Sequence, residues 1–141
     1  MLDPTRDQAR STFFEAWRKY RAGQPVAGIE ALALEVILLH PEYHGVLDHP
    51  DRYAQREYAE ELNPFLHLSL HVALEEQLSI DQPAGIASRF QALVSRFQDR
   101  HDALHQALEC LAETVWRAQR DRAPPDAAAY LDCLAGRALR K

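Results

Sequence analysis

From Ile86 to Val115 the apolar residues Ile86, Phe90, Leu93, Val94, Phe97, Leu104, Leu108, Leu111 and Val115 keep one helical phase. A strand would place apolar residues at every second position, so this register admits a helix and excludes a sheet. The spacing predicts one long helix from about Ala84 to about Arg120, with Asp99 as the place for a kink. Elsewhere there is no sustained alternation and no hairpin dipeptide between apolar runs, and glycine is scarce, with 5 residues. The chain is therefore predicted to be all-α. Its 141 residues suit a single domain, 1–141, built as a bundle of about four main helices plus short ones.

Prolines and caps set the other boundaries. Asp3-Pro4 reads as an N-cap with proline at the first helical position, opening a helix that stops near Gly23. Phe13, Phe14, Trp17 and Tyr20 form its buried face. Pro25 opens a second helix, apolar nearly all round from Ile29 to Leu39, as a central helix would be. Glu30 and Glu35 interrupt that run, and an exposed edge is the simpler account of both. The alternative is a buried Glu35 that needs a cation, a donor or a metal and would join the ligand set. Pro41, Gly45 and Pro50 break the next segment into short pieces. Asn63-Pro64 repeats the cap signal and starts a third helix, ending near Ser79 before Asp81-Gln82-Pro83. A final short helix spans Asp126 to Leu134 and closes at Gly136.

Charge narrows the partners. The net charge is −5 and the arginines are scattered, so nothing resembles the clustered positive stripe a phosphate backbone requires. The longest uncharged stretch, residues 62–74, is too short to span a bilayer. Met1-Leu2-Asp3-Pro4 lacks the regions of a signal peptide. Two cysteines, Cys110 and Cys133, make no disulfide framework. These observations set a cytoplasmic location, reduced thiols, no nucleic acid and no membrane as the expectations.

Histidine carries the chemistry. Six of the seven histidines fall in pairs four apart: His40/His44, His67/His71 and His101/His105. Each pair is followed four residues later by a carboxylate, Asp48, Glu75 or Glu109. The segments read HPEYHGVLD, HLSLHVALE and HDALHQALE. Residues four apart on a helix lie one turn up on the same face, so two imidazoles can hold one ion and a carboxylate can follow. On helical wheels His67 and His71 fall in the apolar arc of Leu70, Leu74 and Leu78. His101 and His105 fall in the arc of Leu104, Leu108, Val94 and Ala112. Pro41 breaks any helix through the first copy, so His44 is kept as a contributor while His40 and Asp48 carry less weight. The candidate ligand set is His67, His71, Glu75, His101, His105, Glu109 and His44. Glu113 is placed beyond that set as a partner for a ligating ring. Trp116 and Phe65 are expected in the core.

The chain resembles an uncharacterised bacterial family known only as domain of unknown function 1841. The likeness runs through RDQAR, FF, AW and KYRAG (6–23), EALAL, VI and HPEYH (30–44), NPFLHLSLH, A and EEQLSIDQP (63–83) and ECL, E, W and AQR (109–120). The resemblance implies a class and no reaction. The inventory of imidazoles and carboxylates is also similar to hemerythrin-like sets, but order and spacing differ, and no Glu-x-x-His pair of the ferritin type occurs.

Two functions follow. The first is a metal-binding bundle with a mono- or dinuclear His/Glu site for a divalent ion, iron (as non-haem iron) or zinc first and manganese after them. No HExxH, phosphate loop or nucleophile triad assigns a reaction. The second is a non-catalytic interaction module with a structural His/Glu polar core, binding a protein partner or a second copy as a homodimer. Inward histidines would also allow a pH-responsive core, losing stability as they charge below about pH 6.5.

Overall fold

The computed structural model describes residues 4–59 and 63–139, with side chains from residue 7 onward. It is all-α: among the described residues there are eight α-helices, one 3₁₀ turn and no strand. The chain packs as two compact units, Met1–Val72 and Ala73–Lys141.

The first unit holds α1 (Pro4–Arg21), α2 (Ile29–Leu38), a 3₁₀ turn (Pro41–Tyr43), α3 (His44–Leu47), α4 (Pro50–Tyr53) and the opening of α5 (Pro64–Ile80). The Asp3 cap lies outside the described residues. Helix α1 ends as its glycine requires. Gly23 takes φ +70°, its N–H reaches the Tyr20 carbonyl and the Gln24 N–H reaches that of Lys19, the paired bonds of a left-handed helix stop. Phe13, Phe14, Ala16 and Trp17 are buried as expected. Tyr20 is not: it stacks on Trp17 at 5.4 Å yet stays half-exposed.

Helix α2 corrects two expectations. It begins at Ile29 rather than Pro25, because Gly28 turns the chain at φ +59°, a backbone that favours glycine. It is also not a central helix. It packs on α1 along one face, burying Ala33, Val36 and Ile37, while Ile29, Leu38 and Leu39 remain half-exposed. Glu35 lies on the exposed edge and Glu30 accepts from Lys19 at 2.6 Å. Arg10, itself buried, ties the irregular segment to α1 by donating to the carbonyls of Ala54 and Arg56. Asn63 caps α5 as its sequence predicts, accepting from the N–H groups of Phe65 and Leu66.

The second unit holds the remainder of α5 with α6 (Ile86–Phe97), α7 (Arg100–Asp121) and α8 (Ala127–Leu139). The single long helix of the sequence reading is two. Gln98 adopts the left-handed region at φ +57°, Asp99 is extended, and the Asp99 carboxylate accepts from the N–H groups of His101 and Asp102. The apolar phase continues across the break because α6 and α7 pack on each other and both meet α8. Helix α8 also runs past Gly136 to Leu139, since Tyr130, Leu134 and Arg137 give it contacts along its length. Trp116 is half-exposed rather than core, and Ala112 is exposed rather than within the inward arc.

The cysteines give the clearest departure. Cys110 on α7 and Cys133 on α8 are joined as a disulfide, S–S 2.04 Å, where reduced thiols are the sequence expectation. Sequence separation hides this, because only the antiparallel return of α8 brings the two together. No described helix is long and apolar enough to cross a membrane.

Candidate metal centre

The centre begins where α2 ends. Pro41 cannot continue a helix, so His40 leaves helical geometry at φ −129° and turns back over the last carbonyls of α2. Its ring Nδ1 lies 2.8 Å from the Val36 carbonyl oxygen. A carbonyl only accepts, so Nδ1 donates to it, and in that Nδ1–H tautomer Nε2 is the acceptor nitrogen. This is the arrangement by which a backbone carbonyl orients a ligating histidine.

Helix α5 supplies the facing rings. His67 Nε2 lies 3.1 Å from His40 Nε2. The His71 ring stands 4.4 Å from that of His40 and 4.8 Å from that of His67, centroid to centroid. The rings meet edge to face, at interplanar angles of 68° and 65°, with 78° between His40 and His67. One nitrogen from each of His40, His67 and His71 falls within 4.8 Å of the others. A tetrahedral ion with bonds of about 2.0 Å needs its ligand atoms about 3.3 Å apart. One pair, His40 and His67, is already near that spacing at 3.1 Å. His40 and His71 are fully buried and His67 half-buried. The negative end of α2 adjoins the cluster through the Val36 carbonyl, which favours a cation there.

The remaining candidates fall into distinct places. His44 Nε2 donates to the Ile37 carbonyl at 2.9 Å, and its ring packs on Trp17 at 4.3 Å, so it caps α2. Asp48 accepts from Trp17 Nε1 at 2.7 Å. Glu75 accepts from Arg100 at 2.9 Å. Glu109 pairs with Arg137 at 3.0 Å and leaves most of its side chain in solvent. Glu113 pairs with Arg117 at 2.7 Å. His101 and His105 stand ring against ring on α7, 4.3 Å between centroids. The carboxylates of both repeated frames are thus engaged by arginine.

His40 is the residue to which sequence spacing gave too little weight. The signal that finds it is Pro41: a histidine ending an apolar helix just before proline must leave the helix and fold over its open carbonyls. Tyr43 stacks on His40 at 5.7 Å, nearly parallel, and lies 6.0 Å from His67. Burial, with the Glu42 carboxylate behind it, pushes its phenol pKa up, so the ring borders the cluster as a neutral phenol.

Neither a curated protein nor a solved structure matches the chain. Its residues 5–136 match the family model described as Domain of unknown function (DUF1841), and the chain belongs to that family.

Proposed function

We propose that the protein binds a divalent transition-metal ion through His40, His67 and His71. The observation that carries this reading is the His40 ring, whose Nδ1 is fixed on the Val36 carbonyl so that Nε2 faces His67 Nε2 at 3.1 Å. A buried imidazole and a half-buried one aimed nitrogen to nitrogen are a poor apolar packing choice and a good chelate.

An imidazole set suits zinc or iron. Manganese prefers carboxylate oxygen, and Glu75 and Glu109 are held by Arg100 and Arg137. Three neutral ligands leave the full charge on the ion, and such an ion supplies Lewis acidity to a ligand at its open position. The residues of this chain do the holding: Val36 orients His40, and the α5 backbone sets His67 and His71 one turn apart. His44 caps α2, Glu75 and Glu109 pair with Arg100 and Arg137, and His101 packs on His105. On sequence grounds the first side chain to test as a fourth ligand is His105, which holds in HDALHQALE the place of His71 in HLSLHVALE.

The structural polar core is the second reading, because the same 3.1 Å contact also serves as a hydrogen bond between two neutral rings. Cobalt(II) separates the two. Titration into chelator-treated protein gives visible d–d bands saturating at one equivalent if the trio is a ligand set, and these vanish in His40→Ala. A featureless titration supports the polar core. In His105→Ala, weaker binding at unchanged stoichiometry gives that residue the fourth position, and unchanged binding leaves the position to solvent.

A further inference from the structure

A cleft in the second unit opens on sulfur. It holds about 680 Å³ and is lined by Cys110 and Cys133 together with Glu113, Arg117, Arg120 and Asp126. Cys110 is buried at 1% exposure while Cys133 is half-buried. The disulfide is therefore approachable from one side, at Cys133, with Cys110 behind it.

The packing of α8 does not depend on that bond alone. Tyr130 is buried and donates to Gln77 Oε1 at 2.7 Å. Leu134 is fully buried. Arg137 donates to Gln106 at 2.9 Å and pairs with Glu109 at 3.0 Å. These contacts bracket Cys133 along the helix and hold α8 independently of the S–S bond.

We propose that Cys110–Cys133 is a reversible thiol–disulfide exchange site for a dithiol reductant, entered from the cleft through Cys133. The reductant's thiolate attacks Cys133 Sγ, forming a mixed disulfide as the Cys110–Cys133 bond breaks. The electron pair leaves on Cys110 Sγ, which takes a proton from solvent. The second thiol of the reductant then attacks its own sulfur in the mixed disulfide and frees Cys133. Two electrons pass from the dithiol to the protein, and the reductant departs as a disulfide. A structural disulfide sealed in a core would allow neither step without unfolding.

The test uses the intact chain purified in air without reductant. Dithiothreitol is added in native buffer, samples are acid-quenched and alkylated with N-ethylmaleimide, and intact mass counts the adducts. The expected result is no adduct before reductant and two after it, at a rate within about tenfold of that in urea, with the helical circular-dichroism signal kept and the adducts lost again on reoxidation with glutathione disulfide. A dithiol oxidoreductase lacking its resolving cysteine should be trapped on Cys133. Adducts before reductant, adducts that need urea, loss of helix on reduction, or failure to trap at Cys133 would each overturn the proposal.

Discussion

Two nine-residue segments of this protein, HLSLHVALE on α5 and HDALHQALE on α7, share six positions and differ in what surrounds them. Both place two imidazoles edge to face, at 4.8 Å on α5 and 4.3 Å on α7. Both surrender their carboxylate to an arginine, Arg100 for Glu75 and Arg137 for Glu109. On α5 a third ring, His40, arrives from within the same unit with its tautomer set by Val36. On α7 the segment runs directly into Cys110 and a disulfide to α8. Spacing along a helix thus sets what one face offers, and the end of a neighbouring helix decides what that offer becomes.

The largest effect should come from the α5 side. His71→Ala removes one of three imidazoles and should weaken zinc binding by more than about 100-fold, beyond what the loss of an outer partner costs. Competition against a chromophoric chelator reads this directly. An affinity within a few-fold of the original would detach the α5 frame from the metal.

The α7 side is the more constrained. Its disulfide closes a loop with a sequence separation of 23, which should contribute roughly 3 kcal/mol to stability. Urea unfolding with and without reductant measures it, and coincident curves would show that the bond constrains nothing. On the same helix Asp99 caps the first turn by accepting two backbone N–H groups. Asp99→Ala should cost about 1 kcal/mol, with thermal unfolding as the readout.

Glu109→Gln sharpens the comparison from the opposite direction. A mostly exposed ion pair is worth about 0–1 kcal/mol, so stability should barely move and metal affinity should stay unchanged. A large loss of metal in this variant would return the carboxylate to the ligand set. The smallest effect concerns acid. Asp81 accepts from the backbone N–H groups of Gly85 and Ala87, and those bonds hold its pKa below the usual carboxylate value. A depressed folded pKa stabilises at pH above the unfolded value of about 3.9 and loses that contribution as pH falls through the folded one. Asp81→Asn should therefore flatten the stability profile below about pH 4, and an identical acid limb in both proteins would count against it.

Much of this architecture was legible in the residues. The Asn63 cap and the buried Phe13, Phe14 and Trp17 follow from local chemistry. On α5, Leu74 and His71 are inside as expected, but Leu70 and Leu78 are half-buried and Leu68 and Val72 are inside in their place. What was hidden depends on particular backbone angles or on helix pairing. Gln98 breaks the long helix by taking a left-handed backbone that its side chain does not announce. Cys110 meets Cys133 only because α8 returns along α7. His40 lay in plain view beside Pro41, but its place in the histidine cluster depended on where the turn carried the ring. Glu75 and Glu109 have ligand spacing along their helices, and spacing alone does not show which side chains meet them. Arg100 and Arg137, distant in sequence, claim them.

The most direct test of the His40, His67 and His71 centre is elemental analysis of untagged protein purified without chelator, beside the His40→Ala/His71→Ala double variant. About one equivalent of zinc or iron is expected in the original protein, and none in a variant that keeps its helical circular-dichroism signal. Metal retained by the folded variant, or no metal in the original after reconstitution, would contradict that centre.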